Sequence, residues 1–444
     1  MMRGAPLRAR PAPVAQPPGP HRKHRGSKPL PGQEQRSAIV ALPCAAGFRV
    51  GRTPACRRMS SRPGPRPRPR AAAGRPHPGW HVTQRRPGRE LIVFGGYAVT
   101  FAIAAGAQLL GLPALVVFAC STVALAGGAL AVGEATDRLS TRLSPAATGV
   151  VQSVLGNLPE LFLSIFALQA GLVSVVAAAL VGSVLGNALF VLGIALVVGG
   201  LRHGSLRFEG EANRLLAVQL LLGVAAFTVP FLAVQPGAPD VGHATDLSVV
   251  VSLVLLGVFA FSVPVALRAS SSGPGTKPTM ERETEPPPSM SRTLALLALS
   301  AGSAAFVADW FVGALRPAMA SLGMSEAFAG LIVVALAGNA VENLAGVTAA
   351  SRGRADLSLS LILNSALQVI LFLAPVLVLL SLFLAPVPLT LILSPLLLGT
   401  LAVSALLVFA IVLDGDATAL EGALLLGLYV IVAAAVWWGP PIGA

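Results

Sequence analysis

Beyond residue 90 the chain is a succession of apolar runs separated by short polar gaps. About 20 apolar residues in helical conformation cross the hydrocarbon core of a bilayer. The runs predict eleven transmembrane helices: 91–111, 113–133, 145–169, 172–200, 211–235, 246–268, 292–315, 325–350, 355–383, 387–413 and 418–438. The first two are divided only by Gly111-Leu112-Pro113. The widest gap, 269–291, carries Ser, Gly, Pro and three acids, Glu281, Glu283 and Glu285, and reads as a flexible linker between two halves. The predicted class is therefore an all-α polytopic membrane protein.

Composition agrees with this reading. Of 444 residues, 54% are hydrophobic and 11% charged, against roughly 25% charged in soluble domains. A soluble enzyme, a disordered chain and a collagen-like fibre are all excluded. The net charge of +13 is unevenly placed: residues 1–90 hold 20 of the 32 Lys and Arg with only Glu34 and Glu90 as acids. That stretch, exemplified by RPGPRPRPR from Arg62, has little apolar surface to bury and is expected to be a disordered basic tail. It shows no apolar leader, and nothing in the chain calls for a nucleic-acid partner. Cys44, Cys56 and Cys120 are too few and too scattered for a disulfide framework or a Cys metal site.

Arginine placement orients the spans. With residue 91 entering from the cytoplasm, the inner loops hold Arg138, Arg142, Arg202, Arg207, Arg214, Arg268, Lys277, Arg282, Arg292, Arg352 and Arg354, and the outer loops hold only Arg316. Positive residues favour the cytoplasmic side. A plasma-membrane protein with its N-terminus inside and its C-terminus outside is expected.

The chemistry lies in a repeat. Gly156-Asn157-Leu158-Pro159-Glu160 and Gly338-Asn339-Ala340-Val341-Glu342 both read GNxxE, at an offset of 182 residues. The same offset takes Ser183 to Ser365, so each glutamate has a serine 23 residues later, in the next span. The copies lie in the third and eighth spans, and an odd separation makes them run in opposite directions. Inverted repeats of this kind characterise many secondary transporters.

An ionisable side chain at mid-membrane costs ~2.5–3.5 kcal/mol on insertion scales, so two of them in register call for a function. Asn and Glu three apart share a helix face; Ser153 and Ser164 extend that face in the first copy. Gly156 and Gly338 permit close backbone approach, and Pro159 interrupts the amide ladder. Irregular backbone at this depth is tolerated only in buried surroundings or around a cavity. Carboxylates with amide, hydroxyl and carbonyl oxygens suit Ca²⁺, which takes 6–8 oxygens. Neither motif has a neighbouring His or Cys, which disfavours zinc and copper. Paired carboxylates also hold protons that a divalent cation displaces.

With these motifs the chain resembles the calcium:cation antiporter superfamily, in its cation/proton exchanger branch. The residues that carry the likeness are Gly133-Glu134-Ala135-Thr136, GNLPELFLSIFAL from Gly156 and VGSVLGNALFVLG from Val181 in the first half. In the second half they are Phe311-Val312-Gly313, GLIVVALAGNAVEN from Gly330 and NSALQVILFLAPVLVL from Asn364. The resemblance implies two inverted five-helix repeats, 113–268 and 292–438, behind one extra helix at 91–111. It implies Ca²⁺ export against H⁺, both as transported ions, with no permanently bound cofactor. It makes Glu160 and Glu342 the cation- and proton-binding carboxylates and Asn157 and Asn339 their partners at the helix breaks. Ser183, Asn187, Ser365 and Gln368 would line the site. Asn343 stands where many relatives have His. Exchange of Na⁺ or K⁺ is the alternative; the Gly-Asn pairs favour protons, since sodium-coupled relatives usually carry Thr-Ser there.

Other acids carry less. Asp309, near the outer end of the seventh span, reads either as a relay or as an outer-end group paired with Arg316. Asp414, Asp416 and Glu421 read as a solvated inner turn. An intramembrane transferase is disfavoured, because no basic residue lies at mid-membrane to hold a phosphate.

Overall fold

Nine apolar helices among the described residues are long enough to cross a bilayer, and two shorter apolar helices, Leu158–Gln169 and Glu326–Gly338, each adjoin a break in the helix ladder. The computed structural model describes residues 89–140, 143, 151, 154–208, 210–238, 242–271 and 289–438. The tail and the central-loop acids Glu281, Glu283 and Glu285 lie outside the described residues, as does Ser153. The side chains of 263–271 and of 340–343 are also outside that description.

In chain order the helices are α1 (Arg89–Leu109), α2 (Ala114–Ser140), α3 (Leu158–Gln169), α4 (Val173–His203), α5 (Glu211–Ala233) and α6 (Ala244–Ser271). The second half has α7 (Met290–Leu322), α8 (Glu326–Gly338), α9 (Ala340–Ser351), α10 (Ala355–Leu384), α11 (Pro395–Asp414) and α12 (Ala419–Trp437). Span eight is thus α8 and α9 in series, and span three ends in α3 after a helical stretch at 154–156. The architecture is all-α and compatible with the expected eleven spans.

Ends follow local chemistry. Thr418 and Glu421 form a reciprocal capping box at the start of α12. Ser394 caps α11, whose first residue is Pro395. Gly323 ends α7 in the left-handed conformation, φ 65°.

Three predicted boundaries change markedly. The second span was expected to end at 133, with Glu134, Asp137 and Arg138 in a solvated inner loop, but α2 runs on to Ser140 and buries Arg138. The tenth span was expected from 387, but residues 385–394 are non-helical and α11 begins at Pro395. Pro386 and Pro388 deny amides to a helix there. The extended segment instead alternates, burying Leu389, Leu391 and Leu393, and its amides find hydroxyls: Leu389 N donates to Ser381 Oγ and Leu391 N to Ser248 Oγ. The seventh span was expected to end at 315, but α7 continues through Pro317 to Leu322. Arg316 is therefore a helix residue, and it donates to the Ala170 and Gly171 carbonyls of the turn between α3 and α4.

Packing reflects the repeat. Helices α2 and α7, the first of each half, lie side by side, and α5 and α11 pair likewise. Helices α4 and α10 form the buried centre, whereas α1 and the described part of α6 leave most of their residues uncovered by the rest of the protein. Where α4 meets α8 the backbones nearly touch: a Cβ on Gly182 would strike the Leu331 backbone, and one on Gly330 the Val175 carbonyl.

Loop contacts sort by side. On the arginine-rich face, β1 (Leu206–Arg207) pairs antiparallel with β2 (Asp416–Ala417), Asn213 Nδ2 donates to Asp356 Oδ1 at 2.8 Å, and His203 Nε2 meets the Ser351 carbonyl. On the other face Arg316 reaches the α3–α4 turn and Ser325 Oγ donates to the Val436 carbonyl at 2.6 Å. These groupings match the alternation expected from arginine placement.

Candidate ion-binding site

The helix breaks come from the GNxxE asparagines. Asn157 has φ −90°, ψ 8° and Asn339 has φ −96°, ψ 16°, nearly the same bridge-region backbone in both copies. Neither side chain caps the helix that follows it. Pro159 sits in the first turn of α3, where a missing amide is harmless. Glu160 follows in that same turn, at the positive end of the helix dipole. Glu342 occupies the corresponding third position of α9; its side chain and that of Asn343 lie outside the description.

The freed side chains meet at the centre. Glu160 Oε1 accepts from Ser183 Oγ at 2.8 Å and from Asn339 Nδ2 at 2.6 Å. Asn157 Nδ2 donates to Gln368 Oε1 at 2.9 Å. Asn187 Nδ2 donates to Ser365 Oγ and to the Ser183 carbonyl, both at 3.0 Å. Asn157, Glu160, Ser183, Asn187, Asn339 and Ser365 are all buried, and Gln368 is half-buried. Three of the contacts join the two halves: Glu160 to Asn339, Asn157 to Gln368 and Asn187 to Ser365.

Gly338 is present for contact rather than for turn geometry. A Cβ there would overlap the Glu160 Cγ and lie 3.0 Å from its Oε1. A small pocket with about 250 Å³ of empty space adjoins the carboxylate, lined by Glu160, Leu163, Ser164, Ala179, Leu180, Ser183, Val334 and Leu373. Asp309 is not part of this arrangement: it is on an exposed face of α7, and Arg316 serves backbone carbonyls.

Motif spacing does not disclose three segments that wind as π-helix: Gly186–Val191 in α4, Ala329–Val334 in α8 and Val369–Leu373 in α10. The first and third occupy nearly equivalent repeat positions; the first contains Asn187 and the third follows Gln368 directly. Wider turns of this kind recur at functional sites. The one sequence hint is a polar amide side chain at the edge of an otherwise unbroken apolar run.

An intramembrane carboxylate held between inverted halves, with helix breaks on both sides, defines a secondary cation transporter. The chain matches the family described as sodium/calcium exchanger protein over residues 113–268 and 292–438, and it belongs to that family. It is 36% identical to a Ca²⁺/H⁺ antiporter of Synechocystis over 354 residues, covering 76% of this chain and 94% of the relative. To the Ca²⁺/H⁺ antiporter ChaA of Bacillus subtilis it is 32% identical, over 73% of this chain and 93% of that one. The solved structure of native YfkE superposes with a TM-score of 0.66 at 28% identity, covering 78% of this chain and 99% of that one. The crystal structure of an H⁺/Ca²⁺ exchanger, CAX, at 16% identity and a TM-score of 0.59, shares the fold. These relatives place the chain in the cation/proton exchanger branch.

Proposed function

We propose that this protein exports Ca²⁺ from the cytoplasm across the cell membrane in exchange for protons, by alternating access. The observation that carries the reading is Glu160: a buried carboxylate whose Oε1 is gripped by donors from both halves, Ser183 and Asn339. The repeat offset gives Glu342 the same place in its helix, and maps the Ser183 and Asn339 donors onto Ser365 and Asn157. Glu160 and Glu342 are thus the metal-binding pair, and Asn157, Asn339, Ser183, Asn187, Ser365 and Gln368 supply or hold the neighbouring oxygens.

Two carboxylates brought to one buried site would retain a proton when no cation is present, because both charges together are unfavourable. A divalent cation reverses that preference and displaces the protons. Cytoplasmic Ca²⁺ would bind the deprotonated pair, the bundle would rearrange, and protons would replace the ion on the far side. Competition for one site couples the two flows without a phosphate-binding loop or ATP.

The test is radiolabelled Ca²⁺ uptake into everted vesicles under an imposed pH gradient. The wild type takes up Ca²⁺, and Glu160→Gln or Glu342→Gln abolishes it. Normal gradient-driven uptake by either variant removes the assignment. Replacing Na⁺ and K⁺ by choline leaves uptake unchanged if protons are the counter-ion; a requirement for either cation points to the sodium- or potassium-coupled alternative.

A further inference from the structure

We propose that Ser164 is an ion-contacting group on the outward half of the transport route, one helical turn beyond Glu160, where the repeat counterpart on the inward half is Gly346. This rests on the exchange site described above.

The pocket beside Glu160 extends in one direction. Helix α3 runs outward on the topology set by the arginines, so Leu163 and Ser164 lie outward of Glu160. Helix α4 runs inward, so Ala179 and Leu180 lie outward of Ser183. The same holds for Val334, before the Asn339 break in α8, and for Leu373, beyond Gln368 in α10. Every lining residue other than Glu160 and Ser183 is therefore on the outward side. Ser164 is the only polar residue among them, is 4% exposed, and makes none of the hydrogen bonds that tie the carboxylate network together. Four residues along an α-helix advance ~6 Å on the same face. A cation leaving Glu160 outward meets this hydroxyl next.

The inverted repeat supplies an internal comparison. The 182-residue offset carries Ser164 to Gly346, Leu180 to Ile362 and Leu373 to Val191. These counterparts form a packed hydrocarbon contact on the inward side: a Cβ at Gly346 would lie 2.7 Å from Ile362 Cγ1 and 3.8 Å from Val191 Cγ1. The Gly346 carbonyl accepts from Ser358 Oγ at 2.8 Å. Where the outward half offers a hydroxyl lining a small pocket, the inward half offers a glycine under an isoleucine. The two halves share the carboxylate motif and differ at the next step along the route. Removing the hydroxyl therefore affects the ion's exchange with one face only.

The experiment measures half-saturating Ca²⁺ separately on each face, using right-side-out and everted vesicles of the full chain with opposed pH gradients. Ser164→Ala raises the outer-face value roughly tenfold, the factor for a lost contact to a charged group, and leaves the cytoplasmic value within about twofold. Ser164→Thr, which keeps the hydroxyl, restores the outer-face value; Ser164→Val, which fills the pocket, does not. An equal rise on both faces, or no change on either, overturns the proposal. Glu160→Gln measured alongside separates the readings: if it transports normally, the exchange site itself is misassigned. If it is inactive while Ser164→Ala shows no sidedness, only the outward-route inference is lost.

Discussion

Gly338→Ala places one methyl group against the ion site and nowhere else. The added Cβ would overlap the Glu160 Cγ and stand 3.0 Å from Oε1 and 3.1 Å from the carboxyl carbon. Because Gly338 is the last residue of α8, before the Asn339 break, and Glu160 lies in the first turn of α3, relief has to come from the carboxylate's own side chain. Oε1 is held at 2.8 Å by Ser183 and 2.6 Å by Asn339. Rotation of Glu160 breaks at least one of these bonds, each worth about 1.5–3 kcal/mol to a charged acceptor. At 1.4 kcal/mol per decade, apparent Ca²⁺ affinity falls between about tenfold and a hundredfold. Metal sites tolerate ligand displacements of only about 0.2 Å, so the displaced carboxylate is a poor ligand as well. The assay is vesicle uptake at graded Ca²⁺, normalised to the amount of folded protein. Gly399→Ala, on an exposed face of α11 with nothing within 4 Å, is the control and transports normally. A Gly338→Ala protein with wild-type half-saturation would refute the claim that this glycine exists to admit Glu160.

Three further outcomes follow from the same geometry. Gln368→Ala removes the 2.9 Å contact to Asn157 and lowers apparent Ca²⁺ affinity severalfold, since a neutral hydrogen bond is worth about 1 kcal/mol; unchanged saturation curves would contradict its place in the site. Gly182→Ala forces α4 away from the Leu331 backbone and costs about 1–3 kcal/mol or more, read as a lower thermal midpoint in detergent; an unshifted midpoint would show that the helices give way freely. Arg138 and Glu134 form a 3.1 Å ion pair, 2% and 11% exposed, at the inner end of α2. Arg138→Met alone is expected to destabilise by roughly 3 kcal/mol, and adding Glu134→Leu to restore part of that, because removing one partner of a largely shielded ion pair costs more than removing both. Additive losses in the double variant would count against this.

The span pattern was legible because the bilayer imposes it: every crossing needs a long apolar helix, and loop arginines report the side. The GNxxE copies pointed to Asn157, Glu160, Asn339 and Glu342, and the common offset added Ser183 and Ser365. The structure then joins Glu160 to Ser183 and Asn339 directly. Resemblance alone pointed to Asn187 and Gln368, which break the repeat, standing opposite Val369 and Gly186. Their contacts with Ser365 and Asn157 depend on tertiary approach that no local pattern encodes. The π-helical segments leave little mark on the sequence because their residues, such as Gly186-Asn187-Ala188, are equally acceptable in an α-helix. Residues 387–394 read as the start of the tenth span because their composition is apolar; Pro386 and Pro388 are the signal against it.

The most direct measurement is proton release from the purified, detergent-solubilised protein on addition of Ca²⁺, followed with a pH-indicating dye in weak buffer. Competition between cation and protons for Glu160 and Glu342 predicts a saturable acidification in the wild type and its loss in Glu160→Gln and in Glu342→Gln. Ca²⁺ binding without proton release, or undiminished release from either variant, would contradict the exchange mechanism at its root.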